Sequence, residues 1–192
     1  IHGGAADLFA SADLAQMDRI NDAGLLEDYA VPFASNELVV VTPKDNLLVV
    51  TLQDLAKSGV KLVLALESVP AGAHARQALA NLDRSPEFSE DFSQQVLQNL
   101  VSQETNVRQA LAKVVLAEAD AAIVYYTDVT SDVAELVRQV NIPEEYNVQS
   151  SYWIGVLSQS NQPTRARSFV AALLSEEGAS LLRSHGFKEP LS

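Results

Sequence analysis

The sequence predicts an α/β protein with mostly parallel strands, on three observations. Apolar runs rich in β-branched residues recur along the chain, amphipathic helical patterns separate them, and two of the helices begin directly beyond such a run. No internal repeat or low-complexity segment interrupts the alternation.

Taken in order, Ala6-Asp7-Leu8-Phe9-Ala10 reads as a short buried strand. A helix from Asp13 then places Leu14, Met17 and Ile20 on one face and stops at Gly24 as its C′ residue. Glu37-Leu38-Val39-Val40-Val41-Thr42 is a strand closed by Pro43. Leu52 to Ala56 forms a short helix ended near Gly59, and Lys61 to Leu66 is another apolar strand. At Val69-Pro70-Ala71-Gly72 a helix opens that runs through Ala75, Ala78, Leu79 and Leu82; Pro70 suits N1, where its missing N–H costs nothing, which puts Ala71 in an exposed first turn. Glu87, Glu90 and Asp91 read as a solvated helix face.

The best-defined helix starts at Asn106. Val107, Ala110, Leu111, Val114 and Val115 form its apolar stripe, while Arg108, Gln109 and Lys113 face outward. Asn106 serves as N-cap with Gln109 at N3, a variant of the capping box, so the Val107 amide falls in the first turn, where backbone donors lack intrahelical acceptors. Such a start holds an oxyanion without a charged side chain. The strand Ala121 to Tyr125 follows, then a turn at Thr127-Asp128, a helix around Val133 to Val137, a strand at Tyr152 to Leu157, and helices from Pro163 and Ser175, the last ending at Gly186-Phe187. Ligands of α/β sheets bind beyond the carboxyl ends of strands, so the amides at Ala71 and Val107 can converge on one anion.

Composition narrows the function. With 192 residues, 47% of them hydrophobic, the chain supports a substantial core, or two small lobes. A formal net charge of −12, with Lys and Arg scattered singly, argues against nucleic acid and anionic membranes. The absence of cysteine removes disulfides, thiolate nucleophiles and Cys-type metal sites, and fits an exported bacterial protein. No apolar run approaches the roughly 20 residues that span a bilayer. The start at Ile1, with no basic segment leading into an apolar one, reads as a processed or truncated chain.

Four stretches together resemble a family, the substrate-binding proteins of ABC-type molybdate importers: Ala6 to Asp13, Val69 to Gly72, Asn106 to Leu111, and Ala119 to Tyr125. The tail from Phe169 through Glu177-Gly178 to Gly186-Phe187 resembles the family's ending as well. The resemblance implies a two-lobed periplasmic binding fold, with residues 1–40 in part of lobe 1, 41–140 in lobe 2 and 141–192 returning to lobe 1. It also implies a lobed cleft that closes on molybdate or tungstate and delivers it to a membrane permease, in a periplasmic or extracytoplasmic protein, lipid-anchored or soluble. Carried over by position, the anion's donors are the backbone amides of Ala71 and Val107 and the hydroxyl of Tyr125. The family's two serine donors belong to early βα units that precede the stretch matching Ile1 onward, and the sheet edge left without those units favours self-association. His74 stands where the family often has Tyr, and Trp153 where Pro commonly follows a late-strand Tyr.

The chemistry is consistent with a donor-only pocket. A fully deprotonated dianion only accepts hydrogen bonds, whereas protonated phosphate leaves its own proton facing donors, at about 1–3 kcal/mol for the unpaired group. Sulfate differs from molybdate by size alone. A variant with carboxylates completing a six-coordinate centre would draw on Glu67 and Glu104. No cofactor and no metal-cation site is expected: His2, His74 and His185 match no ligand spacing. Catalysis is not expected either, because Ser11 lies in no nucleophile elbow and reads as a strand end, and Tyr126 reads as structural. The alternative from another class is the effector-sensing domain of a transcription regulator, which shares the two-lobed fold.

Overall fold

A computed structural model of the chain describes residues 6–12 and 14–191. In chain order its elements are β1 (Leu8–Ser11), α1 (Leu14–Asp22), β2 (Val31–Asn36), β3 (Leu38–Pro43), β4 (Leu62–Ala65), α2 (Pro70–Leu82), α3 (Phe92–Gln98), β5 (Leu100–Glu104), α4 (Val107–Val115) and β6 (Ala121–Tyr125). After these come α5 (Ser131–Ala134), β7 (Val137–Asn141), β8 (Ser150–Val156), α6 (Pro163–Leu173) and α7 (Glu176–Ser184), with 3-10 turns at Gln53–Ala56 and Tyr126–Asp128. The expected helix start at Asp13 lies outside the described residues; the described helix begins at Leu14.

The chain forms two compact units, one of Glu37–Val148 and one of the described residues up to Asn36 with those from Gln149. The crossings therefore fall at 36/37 and 148/149, where the sequence reading put them at 40/41 and 140/141. Strand pairing accounts for the difference: Leu38 pairs in register with Tyr125, and Val137–Asn141 pairs with β3, so both segments belong to the sheet of the first unit.

The discontinuous unit carries an antiparallel three-stranded sheet in the order β1-β8-β2. Gly24, at φ +65°, closes α1 in the left-handed conformation that glycine adopts without penalty, and Met17 is the buried anchor of that helix. Ser175 caps α7 by accepting from the Gly178 amide at 3.2 Å. The Asp7 carboxylate collects the Ser160 hydroxyl at 2.6 Å and the amides of Asn161 and Gln162, and these bonds, the hydroxyl's first, hold the acid below its usual range.

The Glu37–Val148 unit is built on a five-stranded sheet in the order β5-β4-β6-β3-β7. Pairing is parallel from β5 through β4 to β6 and antiparallel from β6 through β3 to β7. The expectation of mostly parallel strands therefore holds for this trio alone. The trio is made of strand-helix units, whereas the strands on its far side meet their neighbours head to tail.

Alternation along β4 divides the core. Leu62 and Leu64 pack with Ala75, Ala78, Leu79 and Leu82 of α2, while Val63 packs with Ala110, Leu111 and Val114 of α4, so the two helices cover opposite faces. Truncating the fully buried Leu79 to alanine costs about 2–5 kcal/mol.

Two expectations are corrected here. Val137 opens a strand rather than ending a helix, the helix being the single turn Ser131–Ala134. Glu87 and Glu90 lie in the connection between α2 and α3, not on a helix, and Asp91 is the residue that precedes α3. One side chain ties the two ends of this unit together: Asn147 accepts from the Leu38 amide at 3.1 Å and donates to the Leu38 carbonyl at 2.8 Å.

Candidate functional site

Three parallel neighbours place their carboxyl ends side by side. Ala65 of β4 is in register with Glu104 of β5, the next amide, Leu66, donates to the Glu104 carbonyl at 2.8 Å, and β6 runs alongside to end at Tyr125. Two of these ends lead into α2 and α4, whose N-termini present positive dipole ends. All three predicted donors, Ala71, Val107 and Tyr125, thus sit at one edge of one sheet.

At the α2 start Val69 is extended and Pro70 occupies N1. The Val69 carbonyl takes the amides of Gly72 and Ala73 at 2.9 and 3.0 Å, and the Ala71 amide meets no acceptor among the described residues. Ala71 is 3% exposed, which corrects the expected exposed first turn. The reason is Gly72, where a methyl would overlap the carbonyl oxygens of Leu66 and Ala65; lacking one, the helix start packs down on the end of β4. A buried amide without an acceptor is costly, so this start is incomplete as a purely structural feature.

At the α4 start Asn106 accepts from the Gln109 amide at 3.0 Å, as its N-cap role predicts. The Gln109 side chain accepts instead from the Thr105 hydroxyl at 2.8 Å, so the reciprocal half of a capping box is replaced by a side-chain bond. The amide of the half-buried Val107 meets no acceptor among the described residues.

Tyr125 closes the arrangement. Its amide donates to the Asp128 carboxylate at 3.1 Å, and its side chain accepts from the Asp128 amide in return. Its hydroxyl lies 3.0 Å from His74 Nδ1, and the two rings meet edge to face with centroids 6.3 Å apart. Burial lowers the His74 pKa, which favours the neutral imidazole, and burial raises that of Asp128 against the pull of the Tyr125 amide and Arg108. The strand stops at Tyr125; Tyr126 begins the 3-10 turn and donates its amide to the Glu37 carbonyl.

Sequence reasoning noted His74 without giving it a place in the site, and did not single out Arg76. His74 lies one turn beyond Ala71, on the same side of α2, and that spacing is the signal that would have found it. Arg76 donates to the carbonyls of Ala65 and Gly72 at 3.2 and 2.8 Å and to Gln103 Oε1 at 2.7 Å, binding β4, β5 and the first turn of α2 together. The carboxylates considered for a six-coordinate centre go elsewhere. Glu104 pairs with Lys113 at 2.8 Å and accepts from Ser102, and Glu67 is largely exposed, 4.0 Å from Arg76. Ser11 lies in β1, His185 caps α7, and His2 lies outside the described residues. Among the described residues no three metal-ligating side chains cluster, and no helix is long and apolar enough to cross a membrane.

Known proteins with similar sequences and structures carry the same architecture. The molybdate-binding protein ModA of Mycobacterium tuberculosis is 38% identical over 98% of this chain and 67% of its own length. A Clostridium difficile substrate-binding domain assigned to a molybdenum ABC transporter superposes with a TM-score of 0.84 at 28% identity, over 98% of this chain and 79% of that one. The periplasmic molybdate-binding protein of Azotobacter vinelandii shares the fold, with a TM-score of 0.74 at 18% identity over 98% of this chain and 80% of that one. The family model described as bacterial extracellular solute-binding protein matches residues 1–188. Members of this family bind solutes for ABC transporters and are not enzymes. By sequence, by fold and by the helix starts at the carboxyl ends of its parallel strands, this chain belongs to the bacterial extracellular solute-binding protein family.

Proposed function

We propose that this chain binds a tetrahedral, fully deprotonated oxyanion, molybdate or tungstate, and hands it to the permease of an ABC importer outside the cytoplasmic membrane. The donors are the amides of Ala71 and Val107 and the hydroxyl of Tyr125. The observation that carries the reading is the buried Ala71 amide, which meets no acceptor among the described residues, at a helix start one strand away from a second such start at Val107. An anion there gains two helix dipoles and supplies the acceptor that each amide lacks.

Neutral donors suit the net charge of −12, because the local dipoles do what the overall field opposes. Binding and release involve no chemical step and no cofactor. The names of the relatives favour this reading over the sensing domain of a regulator, and the permease and the extracytoplasmic location follow from the same relationship.

The test is calorimetric titration of molybdate into the purified chain, with sulfate as competitor, repeated with Ala71→Pro, which deletes the amide within the first helical turn, where no intrahelical hydrogen bond is lost. Tight, sulfate-resistant binding that Ala71→Pro abolishes while the fold persists is the expected result. Binding that ignores Ala71→Pro removes the assigned donor, and a folded chain that takes up no oxyanion overturns the proposal.

A further inference from the structure

Alternation along β5 sends its last residues to two different helices. Gln103 is in register with Leu64, so its side chain lies on the face that α2 covers, whereas Ser102 and Glu104 are in register with Val63 and Ala65 and turn to the face of α4. Each side is bonded. Lys113 of α4 meets Glu104 at 2.8 Å and donates to the Ser102 hydroxyl at 3.1 Å, and Arg76 of α2 donates to Gln103 Oε1 at 2.7 Å.

Arg76 does more than join a helix to a strand. One terminal nitrogen of its guanidinium donates to the carbonyls of Ala65, the last residue of β4, and of Gly72, in the first turn of α2; the other terminal nitrogen reaches Gln103. A guanidinium only donates, so the direction of every one of these bonds is settled by its chemistry. Its planar fork grips three acceptors at once, with the side chain 17% exposed. The turn it holds carries the Ala71 amide, and the strand it holds leads through Glu104 and Thr105 to the cap ahead of Val107.

We propose that Arg76 is a positioning residue for oxyanion selectivity: by clamping the first turn of α2 to the ends of β4 and β5 it holds the Ala71 and Val107 amides at a fixed spacing, so the site rejects sulfate by size. The inference rests on the oxyanion reading above and deepens it by naming the residue that makes two helix starts into a gauge.

Sulfate and molybdate share charge and shape, so donors free to move follow either ion and bind both. Donors held apart bond fully to the larger ion alone. β5 is the edge strand of its sheet, laddered on one side only by β4, so the bonds from its end to α2 and α4 are what fix the two helices relative to each other there. A second role for Arg76, as a positive charge drawing in the anion, is separable. Replacing the exposed Gln103 leaves that charge and the bonds to Ala65 and Gly72 in place and removes only the link to β5.

The experiment measures sulfate and molybdate affinities by calorimetry for the native chain, Gln103→Leu, Arg76→Lys, the double variant and Gln103→Glu. Arg76→Lys keeps the charge but, as a single donor point, cannot span the three acceptors. In Gln103→Leu and in Arg76→Lys sulfate should gain on molybdate by about threefold to tenfold, the worth of one hydrogen bond. The double variant should gain no more than the larger single change, because both remove one link. Gln103→Glu keeps the acceptor, so both affinities should drop and their ratio should stay native. An unchanged ratio in Gln103→Leu, or losses of equal proportion for both anions in the two single variants, overturns the proposal and leaves the oxyanion reading standing. Should the native chain bind neither anion, the functional reading fails by itself, and hydrogen exchange then decides this one. The Ala73 amide, bonded to the Val69 carbonyl, and the Gln109 amide, bonded to Asn106, report the two starts. Faster exchange at both in Gln103→Leu upholds the clamp, and native exchange at both overturns it.

Discussion

Glu104 and Lys113 form an ion pair, 2.8 Å from carboxylate oxygen to ammonium nitrogen, which joins the end of β5 to the last turn of α4. The Ser102 hydroxyl, at 2.5 Å, donates to the same carboxylate. An acidic residue two positions ahead of the Asn106 cap of α4 is thereby neutralised by its own strand and helix.

Glu104→Gln is therefore expected to leave molybdate affinity within about twofold of the native value, because the pair is largely compensated and a partly exposed ion pair is worth little at a distance. Lys113 first, then Ser102, holds the Glu104 pKa below the ordinary carboxylate value. The stabilisation is present above the unfolded-state pKa and is lost as pH falls through the folded one. Urea midpoints taken from neutral to acid pH should converge for the variant and the native chain; a constant gap across that range would contradict the assignment.

Asp128 has the opposite sign. Burial raises its pKa, so the folded chain holds the proton longer than the unfolded chain, and stability falls as pH rises from the ordinary carboxylate range through the folded value. Asp128→Asn keeps an acceptor for the Tyr125 amide and carries no charge. Relative to the native chain, its urea midpoint should rise with pH through that window and level off above it.

Gly72→Ala is expected to be among the more damaging single-methyl changes in the chain. The added carbon overlaps the carbonyl oxygens of Leu66 and Ala65, and backbone on both sides leaves no flexible neighbour to give way. Overpacking of this kind costs about 1–3 kcal/mol. Because the strain falls on the turn that carries the Ala71 amide, affinity should drop along with the thermal midpoint; lost stability with native affinity would place the donor elsewhere.

Asn106→Ala removes the cap of α4, its bond to the Gln109 amide. A lost N-cap costs about 1 kcal/mol. The first turn then frays where Val107 presents its amide, so titration should show weaker molybdate binding, while Asn106→Asp retains the cap acceptor but sets a negative charge beside the anion. The aspartate variant should keep stability and lose affinity, which separates the two roles of that position.

Much of the sheet edge was legible because it is punctuated locally. Pro70 at N1 and Asn106 at the N-cap are signals within a few residues, and the helix starts lie where those signals put them. What pairs with what is not local. Nothing in Leu38 to Pro43 says that both its neighbours are antiparallel, and Val137-Arg138-Gln139-Val140 becomes a strand only because β3 offers it an edge. Pro32 disguised β2, whose pairing with β8 shifts register between Pro32 and Ala34. The burial of Ala71 depends on how closely a glycine lets a helix approach two carbonyls, and the contact of His74 on a tyrosine that lies on another element. Both are tertiary facts with faint local traces.

The clasp of Asn147 on Leu38 draws together residues that flank both entry and exit of the Glu37–Val148 unit. That segment is a loop of chain pinched shut at its own neck, with the starts of α2 and α4 wholly inside it. A segment closed in this way is portable: it can be cut out, reopened at another surface turn, or set into a different host without asking the host to hold its ends together.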